Sequence, residues 1–340
     1  MANAINATIL GFSGMSLTPD EKSFFKEVNP LGFILFARNC ESKPQVKALV
    51  DSLKSLVGHE DVPILIDQEG GRVARLKPPV WRKSPAAGSL AAIAAKDLPL
   101  AKDLIYKNSR LMGAELRALG INVDCAPVVD LLIPGAHDIV GDRAFGETPQ
   151  AVAELAREAA KGLLDEGVQP IIKHIPGHGR AKVDSHESLP VVDAGVDVLR
   201  RQDFEAFRLL ADMPWAMTAH IVYTAFDSLH PATHSPRVIE IIRKEIGFDG
   251  MLVSDDLSMK ALRGSFGERA KRAADAGCDV MLHCNGDRRE MEAIVKETPS
   301  LSGASQVRVH RAFAMAKPKS SIDFIATNEW IEGVLEKKVA

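Results

Sequence analysis

The run Lys173-His174-Ile175-Pro176-Gly177-His178-Gly179, followed closely by Asp184-Ser185-His186, directly succeeds the apolar stretch Pro170-Ile171-Ile172. A strand end that carries a lysine, three histidines and a carboxylate stores polarity where chemistry or ligand binding uses it. For any one of these histidines, a solvated loop or a core position satisfied by backbone partners is the simpler account. For the whole cluster it is not. Asp184 and His186 form an Asp-x-His pair, in which a neighbouring carboxylate can fix the imidazole's tautomer and favour its charged form.

Further polar groups follow other short apolar runs. Asp67-Gln68-Glu69-Gly70-Gly71-Arg72-Val73-Ala74-Arg75, Asp130, Gly141-Asp142-Arg143-Ala144-Phe145, His220 and Ser254-Asp255-Asp256 all stand in such places. Carboxylates, arginines, a lysine and histidines around one mouth suit a hydroxyl-rich ligand, whose paired donors and acceptors need matching partners. A sugar is the simplest such ligand. Strand alternation sends Asp255 and Asp256 to opposite sides, so only one of them can face that mouth.

The elements that must position these groups are eight apolar runs, near Ala7-Gly11, Gly32-Phe36, Pro63-Ile66, Asn122-Pro127, Pro170-Lys173, Trp215-Thr218, Met251-Ser254 and Asp279-Leu282. Amphipathic segments of helical period fill most of the gaps, the pattern of parallel strands joined by crossover helices. Thr18-Pro19, Thr148-Pro149 and Ser235-Pro236 read as a capping hydroxyl followed by proline at the first helical position, and Thr18 with Glu21 has capping-box spacing. Gly120, Gly167, Gly247 and Gly277 stand where helices should stop. Eight units over this length predict an α/β fold, a single-domain (β/α)8 TIM-type barrel over 1–340, with a C-terminal helical extension from about 302 packing on the outside. A doubly wound open sheet fits less well, because no G-x-G-x-x-G follows the first strand and polar groups follow many strands rather than one switch point. Lys77 through Gly88 reads as a long loop after the third strand.

Of the 340 residues, 46% are hydrophobic and 26% charged, with a formal net charge of -3. That balance is ordinary for a soluble globular protein and points to no nucleic-acid or membrane partner. Cys40, Cys125, Cys278 and Cys284 are scattered without C-x-x-C spacing, so reduced thiols are expected. No Lys or Arg precedes Lys22 and no apolar run is long enough to span a bilayer, from which a cytoplasmic location is expected.

In order and spacing, the Asp67-to-Val73, Gly141-to-Phe145 and Lys173-to-Gly179 motifs, with Asp184-Ser185-His186 and Ser254-Asp255-Asp256-Leu257-Ser258-Met259, resemble bacterial β-N-acetylglucosaminidases of glycoside hydrolase family 3. The resemblance covers about Phe12 to Cys284 and is nearest to the single-domain cytoplasmic branch of cell-wall recycling. It implies a barrel fold and a retaining exo-β-N-acetylglucosaminidase that works through a covalent glycosyl-aspartate. It selects Asp255 as nucleophile and His186, assisted by Asp184, as acid/base. It places Asp67, Arg75, Arg143, Lys173 and His174 around the terminal N-acetylglucosamine. No cofactor or metal is implied, and the expected partner is a small carbohydrate or muropeptide, such as an N-acetylglucosaminyl-anhydro-N-acetylmuramyl peptide. A monomer or weak homo-oligomer is expected.

Bland roles stand beside these. Arg72 is expected in a salt bridge to Glu69 or another rim acid, His178 in fixing the loop, His220 in structure, and Asp256 as a supporting or helix-capping carboxylate. Two departures from the family pattern are Ile175, where phenylalanine is common, and Arg180-Ala181-Lys182, where an acid is common. The basic pair is either a solvated face or a determinant for an anionic aglycone. Rival readings are a phosphorylase, another family 3 glycosidase, a substrate-assisted hydrolase using Asp255-Asp256, a metal-dependent barrel hydrolase or aldolase built on His174, His178, Asp184 and His186, and a non-catalytic sugar-binding protein.

Overall fold

A computed structural model describes residues 4–319 and 321–339. Each of the eight apolar runs is a strand: β1 (Asn6–Leu10), β2 (Pro30–Leu35), β3 (Ile64–Ile66), β4 (Val123–Asp124), β5 (Gln169–Ile175), β6 (Trp215–Thr218), β7 (Met251–Val253) and β8 (Met281–His283). They neighbour one another in chain order, all parallel, with β8 returning to β1 through Thr8 opposite Met281. A parallel bridge between Val253 and Val280 joins β7 to the approach of β8 and completes the ring. The fold is a (β/α)8 barrel, as the strand count predicts.

Strand ends depart from expectation at two places that matter. β4 is short: Pro127 has no N–H to give the ladder, and although Ile171 and Lys173 still donate to the carbonyls of Ala126 and Pro127, the next bridge is from Val128 to Lys173. β5 runs two residues further than expected, through His174 and Ile175, with cis peptides at Lys173-His174 and Ile175-Pro176. The longer strand carries His174, like Lys173, on sheet rather than on loop.

The crossover helices are α1 (Pro19–Val28), α2 (Lys43–Leu56), α3 (Leu98–Ala118), α4 (Pro149–Asp165), a broken pair α5 (Val196–Arg201) and α6 (Asp203–Arg208), α7 (Pro236–Lys244) and α8 (Phe266–Ala276); α9 (Arg288–Glu297) follows β8. The three expected hydroxyl caps are made. Thr18, Thr148 and Ser235 accept from the backbone N–H of Glu21, Ala151 and Val238, and Glu21 completes the box. Gly277 ends α8 in the left-handed conformation that residues with a Cβ adopt at a penalty.

Inside the barrel, Ile9, Leu31, Leu65, Val123, Ile171, Trp215, Met251 and Val280 form one buried cluster. The strands' other faces pack against the helices in two further clusters. Helix α10 (Gly303–Met315) contributes Val309 and Ala312 to the interior cluster, so it seals the barrel's floor instead of lying on its outer ring. Arg308 holds it there through Asp249 and Asp279, and α11 (Phe324–Val339) packs Trp330 and Ile331 against the helical layer. With the floor closed, the open end of the barrel is the one where the strands' C-termini and the polar loops lie. Among the described residues no helix is long and apolar enough to cross a membrane, and the four cysteines are free.

Candidate active site

That open end holds a cavity of about 390 Å³. Asp67, Arg75, Arg143, Lys173, His174, His186 and Asp255 all line it, whereas Asp184 stands behind His186. Its remaining wall includes Phe36, Glu69, Met217 and Met259.

One flank is a compact ion cluster. Lys173 Nζ donates to Asp67 Oδ1 at 3.0 Å and to Glu69 Oε1 at 2.6 Å. Arg75 donates to Asp67 Oδ2 at 2.9 Å, and Arg143 forks onto both oxygens of Glu69 at 2.8 and 2.9 Å. Burial by itself would raise the pKa of either carboxyl. The adjoining cations overcome it, Lys173 and Arg75 at Asp67 and Lys173 and Arg143 at Glu69, and both groups are held below the usual carboxylate range. Burial would likewise depress Lys173, but the two carboxylates hold it above the ordinary lysine value. Glu69, expected only as a partner for Arg72, is the acid that organises Arg143 and Lys173. Arg72 pairs instead with Asp138 and Asp142, each at 3.0 Å, clasping the rim turn that carries Arg143.

A second flank is built on Asp130, buried after β4. Its Oδ2 lies 2.7 Å from His174 Nδ1, and its Oδ1 accepts from the backbone N–H of His174 and of His178. Burial would raise Asp130, yet the two histidines and these bonds bring it down to about 2. His174 is thus oriented through Nδ1, and among the described residues Nε2 has no hydrogen-bond partner. His178 lies 3.0 Å from Ser185 Oγ through Nε2, tying the two halves of the loop together as expected, and burial together with the nearby His174 pushes it down to about 4. Gly179 permits this path: a Cβ there would lie 2.1 Å from Leu131 O.

The loop then carries His186 out over the cavity. Asp184 Oδ1 receives both the backbone N–H and Nδ1 of His186, each at 2.8 Å. This fixes the ring with Nε2 as its exchangeable nitrogen. The His186 side chain is 63% exposed, so the ring meets solvent or a ligand rather than protein.

Opposite stands the turn after β7. Asp255 Oδ1 accepts from the Asp256 N–H at 2.8 Å, and the Asp255 N–H points to Thr218 Oγ1 at 3.4 Å. Burial would raise the Asp255 carboxyl, but His220, His174, the Asp256 N–H and His186 outweigh it and keep the group below its ordinary value. Asp256 is committed elsewhere: it accepts from Ser258 N and Oγ and from Cys284 N. His220 is buried, with Nε2 3.1 Å from the Asp256 carbonyl and Nδ1 2.7 Å from Thr233 Oγ1, so it braces the turn rather than facing a ligand. Among the described residues no group of three or more His, Cys, Asp and Glu side chains converges on a point that could hold a metal ion.

Arg180, one of the two departures from the family pattern, is not a free cation. It pairs with the buried Asp203 at 2.7 Å and also reaches Gln202, which anchors the loop to α6. Lys182 is exposed.

A family model described as the glycosyl hydrolase family 3 N terminal domain matches residues 11–313. A β-hexosaminidase from Alkalilimnicola ehrlichii is 39% identical over 308 residues, covering 89% of this chain and 87% of the relative. One from Methylococcus capsulatus is 36% identical over 329 residues, 94% and 95% of the two chains. The crystal structure of NagZ from Neisseria gonorrhoeae in complex with N-trifluoroacetyl-D-glucosamine superposes with a TM-score of 0.87 at 31% identity, over 98% of this chain and 99% of that one. With barrel, cavity and relatives in agreement over nearly the whole length, this chain is a glycoside hydrolase belonging to glycosyl hydrolase family 3.

Proposed function

We propose that this enzyme is a retaining exo-β-N-acetylglucosaminidase that acts in the cytoplasm, as a monomer or weak homo-oligomer, on terminal N-acetylglucosamine of muropeptides. The observation that carries the reading is that one cavity is lined by a carboxylate held ionised, Asp255, and by an imidazole whose Nδ1 is held by a carboxylate, His186. The relatives' activity and the amino-sugar derivative bound by the gonococcal protein support the choice of sugar.

In the first step Asp255 attacks the anomeric carbon through Oδ2, because Oδ1 is engaged by the Asp256 N–H. The bond to the glycosidic oxygen breaks as His186 Nε2 gives that oxygen its proton, and the aglycone leaves as an alcohol. Asp184, holding Nδ1, keeps the ring aimed and supports the charge it carries beforehand. Water then attacks the glycosyl-Asp255 ester while the neutral ring takes up a proton, which restores both groups. Asp67, Arg75, Arg143, Lys173 and His174 hold the sugar. The two oxygens of Asp67 are each fixed by one cation and keep lone pairs for hydroxyls, and His174 offers Nε2.

Trapping tests the reading. A slow 2-deoxy-2-fluoro or related glycoside should leave one sugar mass on the peptide containing Asp255. A substrate-assisted route, in which the acetamido group attacks, would leave the protein unmodified. Product analysis with and without phosphate separates hydrolysis from phosphorolysis, the former giving free sugar in both.

A further inference from the structure

Phe36, the residue after β2, lines the cavity and carries two guanidinium groups. Arg38 Cζ lies 5.0 Å and Arg75 Cζ 4.8 Å from the ring centroid. Arg38 is the anchored one of the two. Its Nε donates to Phe12 O at 3.0 Å and its Nη2 to Cys284 O, so it is bolted to the ends of β1 and β8. The turn that presents Phe36 is fixed as well: Asn39 accepts from the Phe36 N–H at 2.9 Å and donates to Gly14 O at 2.8 Å.

Arg75 is held far less by hydrogen bonds. Among the described residues its guanidinium makes one, to Asp67 Oδ2, and its buried Nε finds no hydrogen-bond partner. One hydrogen bond leaves a guanidinium free to turn about its own axis; a flat ring within stacking distance removes that freedom. Support therefore runs from the strand ends through Arg38 and Phe36 to Arg75, and from Arg75 to the carboxylate assigned to the sugar hydroxyls.

We propose that Phe36 is a positioning residue of the sugar site, its ring fixing the Arg75 guanidinium and, through it, the Asp67 carboxylate against the hydroxyls of the terminal sugar. This rests on the glycosidase reading above for what Asp67 binds. A ring that only fills space would act without regard to Arg75, which makes the two roles separable.

The experiment compares Phe36→Leu and Phe36→Tyr, alone and with Arg75→Ala, on an aryl N-acetylglucosaminide. N-acetylglucosamine affinity serves as a second readout where turnover is low, and Tm reports folding. Phe36→Leu should lower kcat/KM about five- to thirty-fold, mainly through KM, which is the range of a partly desolvated cation–π contact. Phe36→Tyr should restore it to within about twofold, and Phe36→Leu should add almost nothing once Arg75 is alanine. Equal loss with leucine and tyrosine at unchanged Tm, or the same loss from Phe36→Leu with and without Arg75, overturns the proposal. A wild-type enzyme inert toward the aryl N-acetylglucosaminide would instead sink the glycosidase reading.

Discussion

Lys173 Nζ and Glu69 Oε1 stand 2.6 Å apart at the wall of the cavity, both almost wholly withdrawn from solvent. Glu69 shares its other bonds with Arg143, so a single carboxylate neutralises two of the cations assigned to the sugar. Removing its charge leaves, among the described residues, Lys173 with Asp67 alone and Arg143 with no anion in contact.

Glu69→Gln should therefore destabilise the fold by about 3 kcal/mol, the scale of breaking a buried ion pair from one side. It should also raise KM for N-acetylglucosaminides. Urea unfolding with parallel kinetics checks both. A variant as stable as the parent would mean that Lys173 and Arg143 find compensation from Asp67 and solvent.

His186→Ala should lower kcat about 10²- to 10⁴-fold on a substrate with a poor leaving group, the usual contribution of a positioned general acid. On an aryl glycoside with an acidic phenol, departure needs no proton and the loss in the glycosylation step should be much smaller. Asp184→Asn should follow the same pattern more weakly, since the ring loses orientation and charge support but not its Nε2. Unchanged turnover of the poor substrate in His186→Ala would refute the acid/base assignment.

Acid should destabilise the protein before the ion-paired carboxylates Asp67 and Glu69 take up protons. His178, brought down to about 4 mainly by burial, and His234, brought down to about 3 for the same reason, remain neutral in the fold while the unfolded chain takes up protons near pH 6.5. Their contribution is whole above that pH and shrinks as pH falls, by on the order of 2 kcal/mol each by pH 5. Asp67 and Glu69, held low, add to the loss only below about pH 4. Urea unfolding at pH 7.5 and 5.0 should show the difference, to which buried His220 and His283, also pushed down by burial, add in the same direction; His178→Gln should reduce it by on the order of 2 kcal/mol, that residue's own share.

Arg180 and Lys182 should part company. Because Arg180 is committed to Asp203, Arg180→Ala should loosen the His186 loop and slow neutral aryl glycosides and anionic muropeptides alike. Lys182→Ala leaves that anchor intact, so any rise in KM confined to the anionic substrate would mark charge steering by Lys182. An Arg180→Ala defect restricted to muropeptides would show that the Asp203 pair opens when substrate binds.

Much of this was legible in the chain alone. Parallel strands buried on both faces must be short apolar runs, so all eight strands could be located, and hydroxyl caps at Thr18, Thr148 and Ser235 mark helix starts through bonds that span three residues. The Asp184-x-His186 pairing is equally local, and the structure makes it through one carboxylate oxygen. Sequence spacing reaches only that far. Glu69 and Arg143 are 74 positions apart, Asp130 and His174 44, and Arg38 and Cys284 246, and each pair meets because ring closure gathers strand ends from along the whole chain at one rim. Which acid takes which base there, whether Arg180 faces ligand or Asp203, and that an unremarkable Phe36 holds Arg75 depend on side-chain distances in three dimensions. Periodicity along a chain specifies which face of an element is buried; it carries no information about which distant element will stand opposite.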